Sequence, residues 1–398
     1  MRVGIDRRGM TALAGGHLAV DFASGSVPAL IPFMTDRFDL SYALAAMLLL
    51  AATASSSLVQ PFFGLWSDRR GALWLIPGGT MLAAVGVGGA AISPVYPLVL
   101  LFVLAGGLGI AAFHPEGAKF AAYASGHKRA SGMSYFNSGG NAGFALGAFA
   151  TGQLVVSIGL VGGLVAMVPV LLASLGLARA MPHLSGLKPE TGAAAFRRGD
   201  DRRRAMALLG VVIALRSVSW FTLLAFVPLW IISLGHSKAD GNRLLFLMLL
   251  AGAVGTLLLG PVADRIGLRP TLVITQALLT PLILVFVYIG GVPGALALML
   301  VGVCVVGTFG VTMVLSQLYL PRHVGMASGL SIGLAMGIGG VAAVVLGAVA
   351  DAVDLKTALT ISAIAPALGV VVCLRLPAPS KRTQILGDPG PVVAVPAD

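Results

Sequence analysis

Long apolar segments separated by short polar ones run along the whole chain. Twelve of these segments are long enough to cross a bilayer as α-helices, which takes about 20 mostly apolar residues. They fall approximately at 11–34, 40–63, 73–92, 96–122, 131–156, 158–180, 205–234, 243–262, 271–290, 294–318, 326–350 and 357–377. The pattern therefore predicts an all-helical membrane protein with twelve transmembrane spans.

The first apolar segment follows three arginines, as the apolar core of a signal peptide does. It is too long for such a leader, and it contains His17 and Asp21 near its middle. We therefore interpret it as a retained first span.

One long connector divides the chain, and its position predicts the domain organisation. Residues 181–204 are rich in Arg, Asp, Gly and Pro and separate six spans from the other six. We expect a six-helix bundle over 1–180, a linker over 181–204 and a second six-helix bundle over 205–377. Residues 378–398 are rich in Pro and Gly without periodicity, which is typical of a disordered tail.

The composition excludes soluble classes of protein. Hydrophobic residues make up 57% and charged residues 10% of the chain, against about 45–50% and about 25% in soluble domains. The mean hydropathy is +0.96, which does not fit a water-facing surface. Both cysteines, Cys304 and Cys373, lie inside apolar segments, so no disulfide framework is predicted.

The charges predict the topology. With the N-terminus in the cytoplasm, 21 of the 26 Lys and Arg residues fall on the cytoplasmic side. Four fall on the other side (Arg37, Lys238, Arg243 and Lys356), and Arg216 lies inside the seventh span. This bias follows the positive-inside rule, so both termini are expected in the cytoplasm. The net charge of +11 is therefore an orientation signal, and no nucleic-acid partner is predicted.

The two halves of the chain repeat each other. Residues 64–71, after span two, and 260–267, after span eight, both read G-x-x-x-D-R-x-G, and they are 196 positions apart. The same displacement places Phe113 on Phe309. A parallel repeat of six spans predicts two bundles related by an axis along the membrane normal, with a binding site between them.

With this repeat, the whole chain resembles the major facilitator superfamily. The resemblance implies the fold of that family: twelve helices in two six-helix bundles, related by a pseudo-two-fold axis along the membrane normal. The first copy of the motif continues with Ala72 and Leu73 where the family has basic residues, whereas the second copy has Arg269.

Three further segments resemble the fosmidomycin-resistance group of exporters within that family. They are GGHLAVD at 15–21, FHPEG at 113–117 and SGGNAG at 138–143. This resemblance implies export of a phosphonate-type drug, and hence drug efflux and antibiotic resistance.

Ionisable residues inside the spans are the candidates for chemistry, because a charge in the bilayer is costly and is usually functional. His17 and Asp21 are four residues apart, so they share one face of the first helix. A carboxylate in a cavity that opens to alternating sides is a candidate proton carrier. The alternative is an Asp–His hydrogen bond that only ties spans together.

A second ionisable group lies in span four. His114 and Glu116 flank Pro115, and both are candidates for proton coupling. Lys119 lies three residues after Glu116 on the same helical face and would neutralise it. The sequence leaves open whether Glu116 titrates or only pairs with Lys119.

Arg216 is the charged residue in the core of the C-terminal half, with Trp220 one turn further on. A guanidinium keeps its proton and binds carboxylates or phosphonates through two parallel hydrogen bonds. It therefore predicts an anionic substrate. The alternative is a permanent counter-ion for Asp21, since position 216 aligns with Val20 in the repeat.

Other polar residues complete the expected sites. Asn137 and Asn141 in span five and Thr312 in span ten are candidate substrate contacts, although hydrogen bonds between helices would equally explain them. The motif residues Asp68, Arg69, Asp264 and Arg265 are expected to form a gate on the cytoplasmic side.

The sequence contains no nucleotide-binding motif, metal cluster or nucleophile–base arrangement, so neither enzyme activity, a cofactor nor a metal is predicted. We expect a monomeric, multi-pass protein of a bacterial-type inner membrane, in contact with lipid and protons. It would act as a proton-coupled antiporter that exports a small anionic or amphiphilic compound, such as a fosmidomycin-like phosphonate, by alternating access. The alternative is a proton-coupled importer of a small organic anion.

Overall fold

The structure is a computed structural model that describes residues 4–60, 62–64, 66, 72–126, 129–187, 200–321 and 324–377. In this part of the chain all regular secondary structure is helical, and twelve helices are long and apolar enough to span a membrane. The prediction of twelve spans is confirmed. The helices are α1 (Arg7–Phe38), α2 (Tyr42–Ser57), α3 (Leu75–Ile92), α4 (Tyr96–Ala124), α5 (Arg129–Ile158), α6 (Val161–Ala166 and Val168–Ser185), α7 (Arg203–Ser233), α8 (Lys238–Ile266), α9 (Leu268–Tyr288), α10 (Gly291–Val306 and Phe309–Tyr319), α11 (Val324–Ala352) and α12 (Leu355–Leu374).

Short polar turns separate the helices, and side chains in these turns cap the first N–H groups of the helix that follows. Asp6 accepts from the backbone of Gly9 at 2.7 Å and starts α1. Asp354 accepts from Thr357 at 2.6 Å and starts α12 within a tight turn after α11. This backbone hydrogen bond lowers the pKa of Asp354 below its usual value.

The internal repeat is visible in matching contacts of the two bundles. The backbone N–H of Asp6 donates to the carbonyl of Ala124 at 2.7 Å, and that of Arg202 donates to Tyr319 at 2.7 Å. Asp6 and Arg202 are 196 positions apart, and Ala124 and Tyr319 are 195 apart. The first and fourth helices of each half are thus joined in the same way, which confirms two related six-helix bundles.

At one close contact, the two halves use the same two residue types on opposite helices. Gly25 on α1 lies directly against the backbone of Phe144 on α5. At the corresponding place in the second half, Gly339 on α11 lies against the ring of Phe221 on α7. Each pair combines one glycine with one phenylalanine, but on opposite helices. In the first half the two helix backbones touch each other, whereas in the second half a helix backbone touches an aromatic ring.

A row of glycines joins α5 to α1. A Cβ atom at Gly139, Gly143 or Gly147 would collide with backbone carbonyls of α1, at Ala14, Leu18 and Phe22 respectively. Such close approach is the use of small residues in membrane helices. Glycines have a similar spacing at 325, 329, 333 and 337, but Gly337 faces open space and makes no such close contact. The side chains of the other three positions lie outside the described part.

The tenth span differs from its prediction as one continuous helix over 294–318. It is interrupted between Val306 and Phe309. At the interruption, Gly307 lies against the backbone of Gly255 on α8, where a Cβ atom would come within 2.7 Å. Thr308 then donates its hydroxyl to the carbonyl of Cys304 at 2.7 Å. The interruption matters because Thr308 belongs to the candidate site.

The two bundles meet on the side of the membrane opposite the chain termini. Asp351 at the end of α11 accepts the backbone N–H groups of Tyr42 and Ala43 at the start of α2, at 2.6 and 3.0 Å. Nearby, Lys238 forms an ion pair with Asp36. The carboxylate of Asp351 thus caps a helix of the other bundle, where free N–H groups and the helix dipole favour a negative charge.

A second contact lies beside it, where Asn242 of α8 donates to the carbonyl of Ala29 on α1 at 3.2 Å. Every hydrogen bond and ion pair between described residues of different bundles lies on this side. Within the part of the chain that the structure describes, these contacts close the space between the bundles on the side opposite the termini.

We expect Asp351→Ala to weaken this closed side. Loss of a helix cap costs about 0.5–2 kcal/mol, so the equilibrium should shift several-fold toward separation of α2 and α11. Spin labels on the exposed Leu44 and Val345 would measure their distance distribution by electron–electron resonance. Asp354→Ala is the matched control, because Asp354 caps a helix of its own bundle. An equal shift in both variants would contradict the assignment of Asp351 as a contact between bundles.

Candidate transport site

Three ionisable side chains from two helices meet beside the middle of α1. Nε2 of His17 lies 3.2 Å from one carboxylate oxygen of Asp21, and Nε2 of His114 lies 3.3 Å from the other. The side chains of His17, Asp21 and His114 are 9%, 18% and 25% exposed. The site is therefore nearly buried, with part of Asp21 and His114 still accessible. His17 and Asp21 share a face, as predicted, and α4 brings His114 to them.

Backbone carbonyls fix the protons of both imidazoles. Nδ1 of His17 lies 2.9 Å from the carbonyl oxygen of Phe136, and Nδ1 of His114 lies 2.8 Å from that of Ile110. A carbonyl oxygen only accepts, so each Nδ1 carries a hydrogen and donates it. Each Nε2 then turns toward the carboxylate of Asp21. Both Nε2–carboxylate contacts therefore need a proton or another cation between the two atoms.

Aromatic rings and a glycine enclose this cluster. The ring of Phe136 stacks on His17 with a centroid distance of 4.1 Å, and Phe113 lies 6.1 Å from it. Gly140 on α5 covers the contact: a Cβ atom there would lie 2.5 Å from Nε2 of His17 and 2.6 Å from Asp21. The hydrogen at this position is what allows α5 to approach the two ionisable groups.

Glu116 lies on α4 but belongs to a different contact. Its buried carboxylate is 2.7 Å from the ammonium group of Lys119. The ion pair expected from their spacing is thus present. Whether Glu116 titrates during transport stays a separate question.

We expect the pair to stabilise the bundle. Glu116→Gln and Lys119→Gln should each lower the melting temperature, because each leaves a charge without this partner, at a cost of roughly 1–3 kcal/mol. The double variant should recover most of the loss and keep the wild-type pH dependence of transport. A shifted pH profile in both Glu116→Gln and the double variant would instead assign Glu116 a role in proton coupling.

Arg216 on α7 is the corresponding charged group of the second bundle. It is 2% exposed, its Nη1 donates to the hydroxyl of Thr308 at 2.6 Å, and its guanidinium lies 4.9 Å from the ring centre of Phe309. Its Nη2 has no hydrogen-bond partner. Within the described residues, no ion pair joins Arg216 to Asp21 or to another carboxylate. A buried guanidinium with a free donor is suited to receive an anion.

The repeat places the two sites at related positions. Displacement by 196 carries Asp21 onto Ser217, the neighbour of Arg216, and Phe113 onto Phe309. Phe113 lies beside the histidine cluster, and Phe309 lies beside the guanidinium. A carboxylate with two imidazoles and a guanidinium thus occupy equivalent places in the two bundles.

The other candidate substrate contacts are distributed differently. Trp220 is buried, Asn137 is exposed and Asn141 is partly exposed. The hydroxyl of Thr312 donates to its own helix, at 3.2 Å from the carbonyl of Thr308 and 2.9 Å from that of Phe309. Thr308, at the interruption of α10, is the threonine that reaches Arg216. The two threonines are four residues apart, so spacing along the helix does not tell which of them contacts Arg216.

Only half of the expected gate lies in the described part. Asp68 and Arg69 lie outside the described residues, and Asp264 and Arg265 are exposed on the side of the termini. Arg269, the basic residue of the second motif, donates to the carbonyls of Cys373 and Leu374. It thus binds the C-terminal end of α12, where a cation is favourable.

Twelve membrane-spanning helices in two related six-helix bundles are an architecture of secondary transporters. A family model for the Major Facilitator Superfamily matches residues 13–343 and also 209–396. The chain belongs to the major facilitator superfamily, which confirms the resemblance seen in its sequence.

Two relatives match nearly the whole chain. An uncharacterised MFS-type transporter, YfnC from Bacillus subtilis, is 31% identical over 381 residues, which are 92% of both chains. The fosmidomycin resistance protein of Escherichia coli is 28% identical over 370 residues, 90% of both chains.

Solved structures share the fold at 14% identity. A bacterial homologue of the human lysosomal transporter Spinster, in an inward-facing and occupied conformation, has a TM-score of 0.78 and covers 92% of this chain and 96% of its own. The nucleoside transporter NupG has a TM-score of 0.72, with 92% and 99% covered. At this identity the likeness concerns the fold alone.

Proposed function

We propose that this transporter is a proton-coupled antiporter that exports a small anionic compound, with a fosmidomycin-like phosphonate as the first candidate. The observation that carries the proposal is the convergence of two imidazole Nε2 atoms on the carboxylate of Asp21. Such a group exchanges protons with whichever side the space between the bundles opens to. The relative that is a fosmidomycin resistance protein supports the choice of substrate.

The anion is assigned to Arg216 in the second bundle. Its free Nη2 is the proposed donor to an oxyanion, while Nη1 is held by Thr308 and the guanidinium lies over the ring of Phe309. Trp220, Asn137, Asn141 and Thr312 stay proposed contacts in the surroundings. Because the proton site and the anion site lie in different bundles, loading of either one changes the charge balance between them.

The cycle then has two half-reactions. With the side opposite the termini closed, the anion enters from the terminal side and binds Arg216, while Asp21 and its histidines release protons to the same side. After the bundles rock, the anion leaves on the far side and protons load there. We assign the terminal side to the cytoplasm, on the basis of the Lys and Arg bias, and the protein to the inner membrane as a monomer.

The runner-up is an importer of an organic anion with the same sites. It differs in that anion and proton move in the same direction.

One experiment tests coupling and direction together. Purified protein is reconstituted into liposomes with a pH-sensitive dye inside, and a fosmidomycin-type phosphonate is added outside with the membrane potential clamped. Antiport predicts that protons leave the liposome as phosphonate enters. It also predicts that an imposed pH gradient, acidic inside, drives phosphonate into the liposome against its own concentration gradient. Acid movement in the same direction as the phosphonate would support the importer. Phosphonate movement without any acid movement would refute proton coupling.

A further inference from the structure

We propose that His17, Asp21 and His114 bind a divalent transition-metal ion, represented by Zn²⁺, in the place of their protons. Imidazole nitrogens and a carboxylate oxygen are ordinary zinc ligands, and two histidines with one carboxylate are a known ligand set for such ions. Spacing along the chain does not indicate a metal site, because the three residues come from two helices.

The three ligand atoms are close enough for one ion to gather them. One ligand atom of each residue lies within 4.8 Å of the other two. Nε2 of His17 lies 3.2 Å from one oxygen of Asp21, and Nε2 of His114 lies 3.3 Å from the other oxygen. Tetrahedral zinc with bonds of 2.0–2.1 Å holds its ligand atoms about 3.3 Å apart. Binding of an ion by one oxygen of Asp21 therefore requires the side chains to draw together, since separations of up to 4.8 Å shorten to about 3.3 Å.

The second shell has the form found around metal-bound histidines. In metal sites the outer ring nitrogen usually donates to a carbonyl or carboxylate, which fixes the tautomer and the ring orientation. Here His17 donates to the carbonyl of Phe136 and His114 to that of Ile110. Both Nε2 atoms thus face the carboxylate of Asp21, one at each oxygen, before any ion arrives.

The partial exposure of Asp21 and His114 leaves one position of the ion open to the cavity. A water molecule or a substrate oxyanion would complete the tetrahedron there. Because the ion occupies the atoms that hold the protons in the proposed function, bound Zn²⁺ should stop proton-coupled transport.

Metal binding is measured on the purified full-length protein after treatment with a chelator. Titration with Zn²⁺ by calorimetry should give one ion per chain, and Co²⁺ should show the visible absorption of a tetrahedral site. His17→Gln and His114→Gln should each lower the affinity at least about tenfold. His183→Gln is the matched control, since His183 contacts a single carboxylate, Asp6, at 2.9 Å, and binding should be unchanged.

A second pair of variants keeps all three ligands in place. Gly140→Ala puts a methyl group against His17 and Asp21 and should also lower the affinity. Gly15→Ala has no neighbouring atom within 4 Å and should bind as the wild type does. These variants decide the question if a histidine variant fails to fold. Binding that is absent in the wild type, or equal in His17→Gln, His114→Gln and Gly140→Ala, would overturn the proposal.

The binding measurement is independent of transport, so the two proposals fail separately. Zn²⁺ binding with the expected variant pattern would stand even if the liposomes showed no proton coupling. Proton-coupled transport by a protein that binds no Zn²⁺ would overturn the metal site alone.

Discussion

Asp21→Asn should abolish uphill transport driven by a proton gradient while the protein stays folded. Asparagine has the same shape, but its amide neither takes up nor releases a proton, so both histidines lose their charged partner. Uphill accumulation in liposomes should fall to the level of liposomes without protein. Exchange of labelled for unlabelled substrate at equal pH, which needs no net proton movement, should continue.

Asp6→Asn is the matched control for this variant. The carboxylate of Asp6 also contacts a histidine, His183, at 2.9 Å. Asp6 is the N-cap of α1 and therefore lies at the start of the helix, away from the cluster of Asp21. Asparagine caps a helix as well as aspartate does, so uphill transport should persist. Wild-type accumulation by Asp21→Asn would remove this carboxylate from the proton pathway.

Substitution of Arg216 should reduce the affinity for a charged substrate most strongly. Arg216→Ala removes two charge-assisted hydrogen bonds, together about 3 kcal/mol or more, so the affinity for a phosphonate should fall roughly 100-fold. Arg216→Lys keeps the charge but loses the parallel donors, so the loss should be nearer tenfold. Binding of the acid and of its neutral ester to purified protein measures this effect.

Two threonines separate a direct effect from a general one. Thr308→Val removes the hydroxyl that holds Nη1 of Arg216 and should weaken binding of the acid more than that of the ester. Thr275→Val removes a hydroxyl that is bonded to its own helix, α9, outside the proposed site, and should have little effect. Equal losses for acid and ester in Arg216→Ala would mean that Arg216 only supports the packing of the bundles.

The sequence predicted the parts of this structure that depend on one helix at a time. The number of spans follows from apolar length, and the contact of His17 with Asp21 follows from a separation of four residues. The ion pair of Glu116 with Lys119 follows in the same way. The repeat added the relation between the bundles, because two copies of one motif fix a common displacement.

Contacts between helices were outside the reach of that reasoning. The spacing along α4 does not show that His114 faces Asp21, because the rotation of α4 about its own axis is set by its packing against other helices. Thr308, and not Thr312 one turn later, contacts Arg216, and this choice depends on how α10 packs against α7. Asp351 caps a helix start 309 positions away, a pairing that only the assembled bundles create.

The glycine row along α5 gives the proton site a mechanical reach beyond its own atoms. The row brings the backbones of α1 and α5 into direct contact at Gly139, Gly143 and Gly147. His17 of α1 donates to the carbonyl of Phe136 on α5, and further along α5 Gly152 lies against Asn242 of the other bundle. The pair α1 and α5 therefore forms a continuous chain of contacts from the proton site to the junction of the bundles.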